Sequence, residues 1–232
     1  MRALITQRET LDKHGVKIDV LESTYTLFFE NLGIRLHPVS NFSNFQIDEH
    51  FDESFDCIIL SGGGDLKRSH VLNSVPGEEQ PNRDKLEAKL LKFAKERKIP
   101  VLAICRGFQF MNNYLGGRVS RIVNSYRQIG VEHNVSFGKG KKIHVNHYHQ
   151  DGVYAHDLAS NVQLIGIDEE EDVVEAFYHT EYRWLAIQWH PEREITDETS
   201  SHLQEDMIKS FIEGKGILYE GYYLSSRSRD ET

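Results

Sequence analysis

The stretch Ile99-Pro100-Val101-Leu102-Ala103-Ile104-Cys105-Arg106-Gly107-Phe108-Gln109-Phe110-Met111 decides the fold. A proline precedes four uninterrupted apolar residues, the mark of a strand buried on both faces of a parallel sheet. The run then changes at once to a helical stretch that continues through Leu115 to Gly116-Gly117. Cys105 therefore falls at a strand-to-helix turn, and Gly107 lets the backbone bend sharply there. Upstream, Arg83 to Lys98 carries Leu86, Leu90, Phe93 and Ala94 at helical spacing, with Asp84 and Glu87 towards the end where the helix dipole favours negative charge. Before it, Asp56-Cys57-Ile58-Ile59-Leu60 reads as a second buried strand that opens into Ser61-Gly62-Gly63-Gly64, a tight loop whose backbone amides can serve a ligand.

Working outward, Ala3-Leu4-Ile5 is a short strand, Val20 to Leu32 has helical spacing and Ile34 to Val39 alternates as a strand. The second half is richer in strands, over Val162 to Ile167, Val173 to Tyr178 and Trp184 to Trp189, and Leu203 to Ile212 reads as a closing helix. Alternating elements predict an α/β fold, a doubly wound, mostly parallel sheet flanked by helices. The 232 residues suit one domain over residues 1–223, with a polar tail at 224–232.

A formal charge of -9 argues against nucleic-acid binding, which needs clustered Lys and Arg. The basic run Lys139-Gly140-Lys141-Lys142 reads as a solvated loop or a contact for one or two phosphates. Cys57 and Cys105 form no disulfide framework and no metal-type pair, which fits a reducing compartment. The first residues are too briefly apolar for a signal peptide and no window suits a membrane span, so a cytoplasmic location is expected.

A thiolate attacks a carbonyl well when it is held ionised, and a helix N-terminus supplies partial positive charge for that. Cys105 occupies such a place, although a cysteine after an apolar run can also be a mere buried hydrophobe. What favours chemistry is a second segment: Leu185-Ala186-Ile187-Gln188-Trp189 alternates as a strand and delivers His190-Pro191-Glu192 at its C-terminal edge, where catalytic groups of open α/β sheets collect. His190 can act as base and Glu192 can fix its tautomer. The candidate triad is Cys105, His190 and Glu192.

Cys105-Arg106-Gly107-Phe108-Gln109 together with His190-Pro191-Glu192 resembles the class I glutamine amidotransferase fold, which is flavodoxin-like. Arg83-Asp84 and Met111-Asn112-Asn113-Tyr114-Leu115-Gly116-Gly117 resemble its γ-glutamyl hydrolase branch, including γ-glutamyl-γ-aminobutyrate hydrolases. The resemblance implies that Cys105 forms a γ-glutamyl thioester, that the amides of Gly63 and Arg106 form the oxyanion hole, and that Gln109 contacts the glutamyl group. It also places Asn146, His147, Tyr148 and His149 in the segment that holds the substrate's α-amino and α-carboxylate groups, without deciding which of the last three faces it. His144, His147, His149 and His156 lie close in sequence, but no cysteine or acidic residue accompanies them at a ligand spacing, so no metal is expected. The chemistry calls for no cofactor.

The implied partner is a small γ-glutamyl substrate, with no membrane and at most a second copy of the chain. Lys67, Arg68, Gln7 and Arg8 are surface charges and polar groups, or they bind an anionic leaving group at the active-site edge. On overall resemblance the expected substrate is γ-glutamyl-CDP-amidate, of capsular phosphoramidate synthesis. The alternatives are a γ-glutamyl-polyamine or γ-glutamyl-γ-aminobutyrate substrate, or a glutaminase subunit that passes ammonia to a synthase.

Overall fold

A computed structural model describes residues 1–42, 55–73, 77–122, 128–137 and 140–216. Lys139 of the basic run and the tail 224–232 lie outside the described residues. The chain opens with strand β1 (Arg2–Ile5), a hairpin of β2 (Arg8–Leu11) and β3 (Lys17–Val20), helix α1 (Ser23–Asn31) and β4 (Arg35–Pro38). It continues through β5 (Cys57–Leu60), β6 (Val71–Leu72), α2 (Pro81–Arg97), β7 (Val101–Ile104), α3 (Arg106–Tyr114) and β8 (Val119–Arg121). The last third holds β9 (Glu132–Phe137), β10 (Lys141–Asn146), β11 (Asp151–Tyr154), β12 (Val162–Asp168), β13 (Val173–His179), β14 (Trp184–Ile187) and α4 (Glu198–Ile212).

The central strands run β14-β7-β5-β1-β4, all parallel, and β13, β12, β9 and β10 extend the same sheet with antiparallel pairing. Strands β5, β7 and β14 are buried at every position, which is why they read as unbroken apolar runs. Alternate side chains feed two cores. Ile5, Ile59, Ile104 and Ile187 pack with Phe29 of α1 and Phe211 of α4. On the other face Leu4, Leu60, Ala103 and Ala186 pack with Leu90 of α2 and Phe108 of α3. Helices thus cover both faces, as double winding requires. From β1 the chain crosses towards β4, and from β5 towards β7, so the strand order reverses between β1 and β5; ligands of such sheets sit outside the carboxyl ends at this switch.

The structure departs from the sequence reading in three places. The helix expected from Val20 begins at Ser23, because Lys17–Val20 is the return strand of a hairpin. Asp12 shapes its turn by accepting the amides of His14 and Val16 at 2.8 and 2.9 Å. The closing helix starts at Glu198 rather than Leu203, with the Asp197 side chain capping the amide of Thr199. The strand expected to reach Trp189 ends at Ile187, and Gln188 and Trp189 carry the chain past the sheet edge.

Candidate active site

The candidate residues gather along the carboxyl ends of β5, β7 and β14, which lie side by side next to the switch. Cys105 joins β7 to α3 with φ 52° and ψ -103°, a conformation that non-glycine residues rarely adopt. It is fixed at both ends: its amide donates to Ile187 O at 2.8 Å and its carbonyl accepts from the Gln109 amide at 3.1 Å. A β-carbon on Gly107 would lie 2.4 Å from Leu60 O, so only glycine lets α3 press this closely on β5. The bend that the sequence suggested is therefore real and is held by packing.

His190 follows β14 and points Nδ1 at Glu192 Oε1, 2.6 Å away, which leaves Nε2 for the thiol. Both side chains are buried. Asn146 clamps the His190 main chain, accepting its amide at 2.9 Å and donating to its carbonyl at 2.7 Å. Burial pushes the Cys105 thiol up, but the charge and hydrogen bond of His190, aided by His149, outweigh it and hold the thiol below its ordinary value. Burial lowers the imidazole in turn, and the charges of Cys105 and Glu192 reverse this, so His190 is raised. The arrangement favours a thiolate beside an imidazolium.

Gly62 leaves the space in which these groups meet, since a β-carbon there would stand 2.5 Å from His190 Cε1 and 3.3 Å from Cys105 Cβ. Gly63 follows with φ 81°, a left-handed turn that suits glycine. The Arg106 guanidinium is buried away from this space, bonded to Glu87 at 2.5 Å and to Asp84. Its amide stands at the first position of α3, in the peptide unit that follows Cys105.

The other expected contacts divide. Gln109 is buried and its Nε2 donates to Asp151 O at 2.7 Å and to Gln188 Oε1 at 3.3 Å. Asn146, expected to contact substrate, has its side-chain amide bonded to the main chain of His190 and Arg193, so it braces the turn after β14. His147 is buried, and its ring lies against His149, with centroids 4.2 Å apart. His149 approaches Glu175 at 3.4 Å and is close enough to Cys105 for each to shift the other. Tyr148 is half-buried and sits edge-on to His190, centroids 5.8 Å apart, with the Arg193 guanidinium over the tyrosine ring at 4.1 Å. Arg8 lies across Gly63, within 3.1 Å of where a β-carbon would be, and faces Glu78 at 3.6 Å. Gln7 turns towards β4, donating to Val39 O at 3.1 Å. Lys67 is exposed and Arg68 faces Glu79 at 3.9 Å. Among the described residues no group of three or more His, Cys, Asp or Glu side chains is placed to hold a metal ion.

Two residues escaped the sequence reading. Tyr25 of α1 accepts the Gly62 amide at 2.8 Å, and burial, then the charge of Glu192, raises its hydroxyl well above the ordinary range. In sequence it is one more apolar position of a helix. Glu175 of β13 looks like a polar interruption in a strand; it is buried among His149 and His133, whose charges outweigh burial and bring its carboxyl to about 2.

A family model described as peptidase C26 matches residues 3–192. The glutamine amidotransferase-like protein YvdE of Lactococcus lactis subsp. lactis is 27% identical, over 85% of this chain and 90% of its own length. The gamma-glutamyl-CDP-amidate hydrolase of Campylobacter jejuni subsp. jejuni is 31% identical, over 65% of this chain and 70% of its own. Subunits of carbamoyl phosphate and anthranilate synthases are also relatives. Among solved structures, a glutamine amidotransferase of Thermotoga maritima superposes with a TM-score of 0.63 at 18% identity, covering 91% of this chain and 96% of its own.

Proposed function

Since the chain belongs to the peptidase C26 family of glutamine amidotransferase-like proteins, we propose that it is a cysteine-dependent hydrolase of γ-glutamyl amides, with Cys105 as nucleophile, His190 as acid and base, and Glu192 as the group that orients His190. The observation that carries this is the buried array of Cys105, His190 and Glu192 at the β7–α3 turn, with the thiol lowered and the imidazole raised. In this reading the Cys105 thiolate adds to the γ-carbonyl, and the amides of Gly63 and Arg106 receive the negative oxygen. His190 gives its proton to the departing amine, leaving a γ-glutamyl thioester. It then takes a proton from water, which attacks the thioester and releases glutamate.

His149 and Tyr148 flank the space that the glutamyl group would enter. The expected leaving group is a CDP-amidate, as the name of the Campylobacter jejuni relative suggests, and the position of Arg8 beside Gly63 supports an anionic amine component. The synthase-subunit relatives support a second reading, in which the same triad acts as a glutaminase for a partner. Purified chain offered glutamine and γ-glutamyl amides with nucleotide, polyamine and amino-acid leaving groups separates the two. Glutamate release by the chain alone, with a γ-glutamyl adduct on Cys105, is expected. Turnover of glutamine only when a synthase is added, or full activity in Cys105→Ser, overturns the proposal.

A further inference from the structure

Beneath the 61–64 loop lies a group of buried charges that the chemistry above does not use. Arg83 of α2 is fully buried and directs its guanidinium at consecutive backbone carbonyls: Nη1 donates to Gly62 O at 3.1 Å and Gly63 O at 2.9 Å, and Nη2 donates to Ser61 O and, at 3.0 Å, to Ser61 Oγ. Its Nε donates to Glu87 Oε1 at 2.7 Å. The second oxygen of the same carboxylate accepts from Arg106 Nη1 at 2.5 Å, and Asp84 accepts from Arg106 Nη2. Thr6 Oγ1 also donates to Glu87 Oε1, at 2.8 Å. Two cations thus meet two carboxylates.

Each described peptide unit is trans, so its N–H points opposite to its C=O. The carbonyl of Gly62 and the amide of Gly63 belong to one unit. By holding that carbonyl, Arg83 aims the Gly63 amide away from itself. The other amide is fixed from the same carboxylate. The Cys105 carbonyl accepts from Gln109 within α3, so the Arg106 amide of that unit faces out of the helix start, and the Arg106 side chain is tied to Glu87. We propose that Arg83 and Glu87 are positioning residues that lock the two oxyanion-hole amides, on separate elements, into one geometry. The inference rests on the acyl-transfer reading above. A cation on a peptide carbonyl also polarises its N–H, which strengthens the donor.

The test compares two reactions of Cys105 in the full chain. Alkylation by iodoacetamide forms a bond at saturated carbon with loss of iodide, and so reads the thiolate alone. Acylation by p-nitrophenyl acetate forms the S–C bond, puts charge on the carbonyl oxygen, then breaks the C–O bond to release p-nitrophenolate, and so reads the oxyanion amides as well. Glu87→Gln and Arg83→Lys are expected to slow acylation by about 10²-fold while alkylation stays within about threefold of wild type. Arg83→Lys keeps the buried charge balance, so it decides the matter if Glu87→Gln does not fold by circular dichroism. Acylation and alkylation that fall in step, or that both stay unchanged, in a folded variant would overturn the inference. If the wild-type chain is acylated by the ester yet releases glutamate from no γ-glutamyl amide, the proposed hydrolase activity fails, and the same ratio still judges the brace.

Discussion

Gly62→Ala adds a single methyl group at the point where the triad residues converge. A β-carbon built there lies 2.5 Å from His190 Cε1, 3.0 Å from the Tyr25 hydroxyl and 3.3 Å from Cys105 Cβ. Non-bonded carbons rest at roughly 3.5–4.0 Å, so the imidazole would have to retreat by about 1 Å. It cannot do so cheaply, because Glu192 holds Nδ1 at 2.6 Å and Asn146 holds the main chain on both sides. A misplacement of about 1 Å at a reacting group costs on the order of 10²-fold in rate, and overpacking a filled site costs about 1–3 kcal/mol of stability. The expected outcome is a folded protein with kcat lowered about 10²-fold on its best γ-glutamyl amide, measured by glutamate release alongside thermal unfolding. A folded Gly62→Ala protein with kcat within about threefold of wild type would refute the claim that His190 and Cys105 converge across this glycine.

The pH dependence follows from the same array. Activity should rise from acid as Cys105 ionises, below its ordinary 9.0, and fall in alkali as His190, raised to about 10, loses its proton. Glu192→Gln removes one cause of that raised value, so the alkaline limb of kcat/KM should move to lower pH and kcat should drop about 10²-fold or more; a limb that moves upward contradicts the assigned role. Glu175 has a depressed folded-state pKa, so its stabilising effect is present above its ordinary 4.5 and is lost as pH falls through about 2. Glu175→Gln leaves buried His149 without its partner and should cost about 3–5 kcal/mol in urea unfolding near neutral pH, a deficit that shrinks towards pH 2. Arg8→Ala should raise KM about tenfold for a diphosphate leaving group and leave a neutral one within about twofold, as loss of one charged hydrogen bond predicts. Equal effects on both would remove Arg8 from leaving-group recognition.

Where each layer of the protein could be read depends on how far the controlling interactions reach along the chain. The buried strands Cys57–Leu60, Val101–Ile104 and Trp184–Ile187 show themselves as apolar runs because both their faces are covered, and the Cys105 turn shows itself because a strand passing into a helix beside a glycine is a local pattern. The β2–β3 hairpin was illegible: its strands, Arg-Glu-Thr-Leu and Lys-Ile-Asp-Val, bury little, so no alternation of apolar residues betrays them. Asn146 could be placed near the site from sequence, but its task could not, since clamping His190 joins residues 44 positions apart. Tyr25 and Glu175 are of the same kind. Each acts on a partner from another element, and nothing in its own neighbourhood of the chain distinguishes it from a core aromatic or a solvated charge. A thiol at a helix start, and a histidine and a glutamate past a strand end, are features of short segments and are legible in the chain alone. Their meeting depends on parallel strands packed side by side with carboxyl ends together, which brings segments more than 80 residues apart to one edge of the sheet.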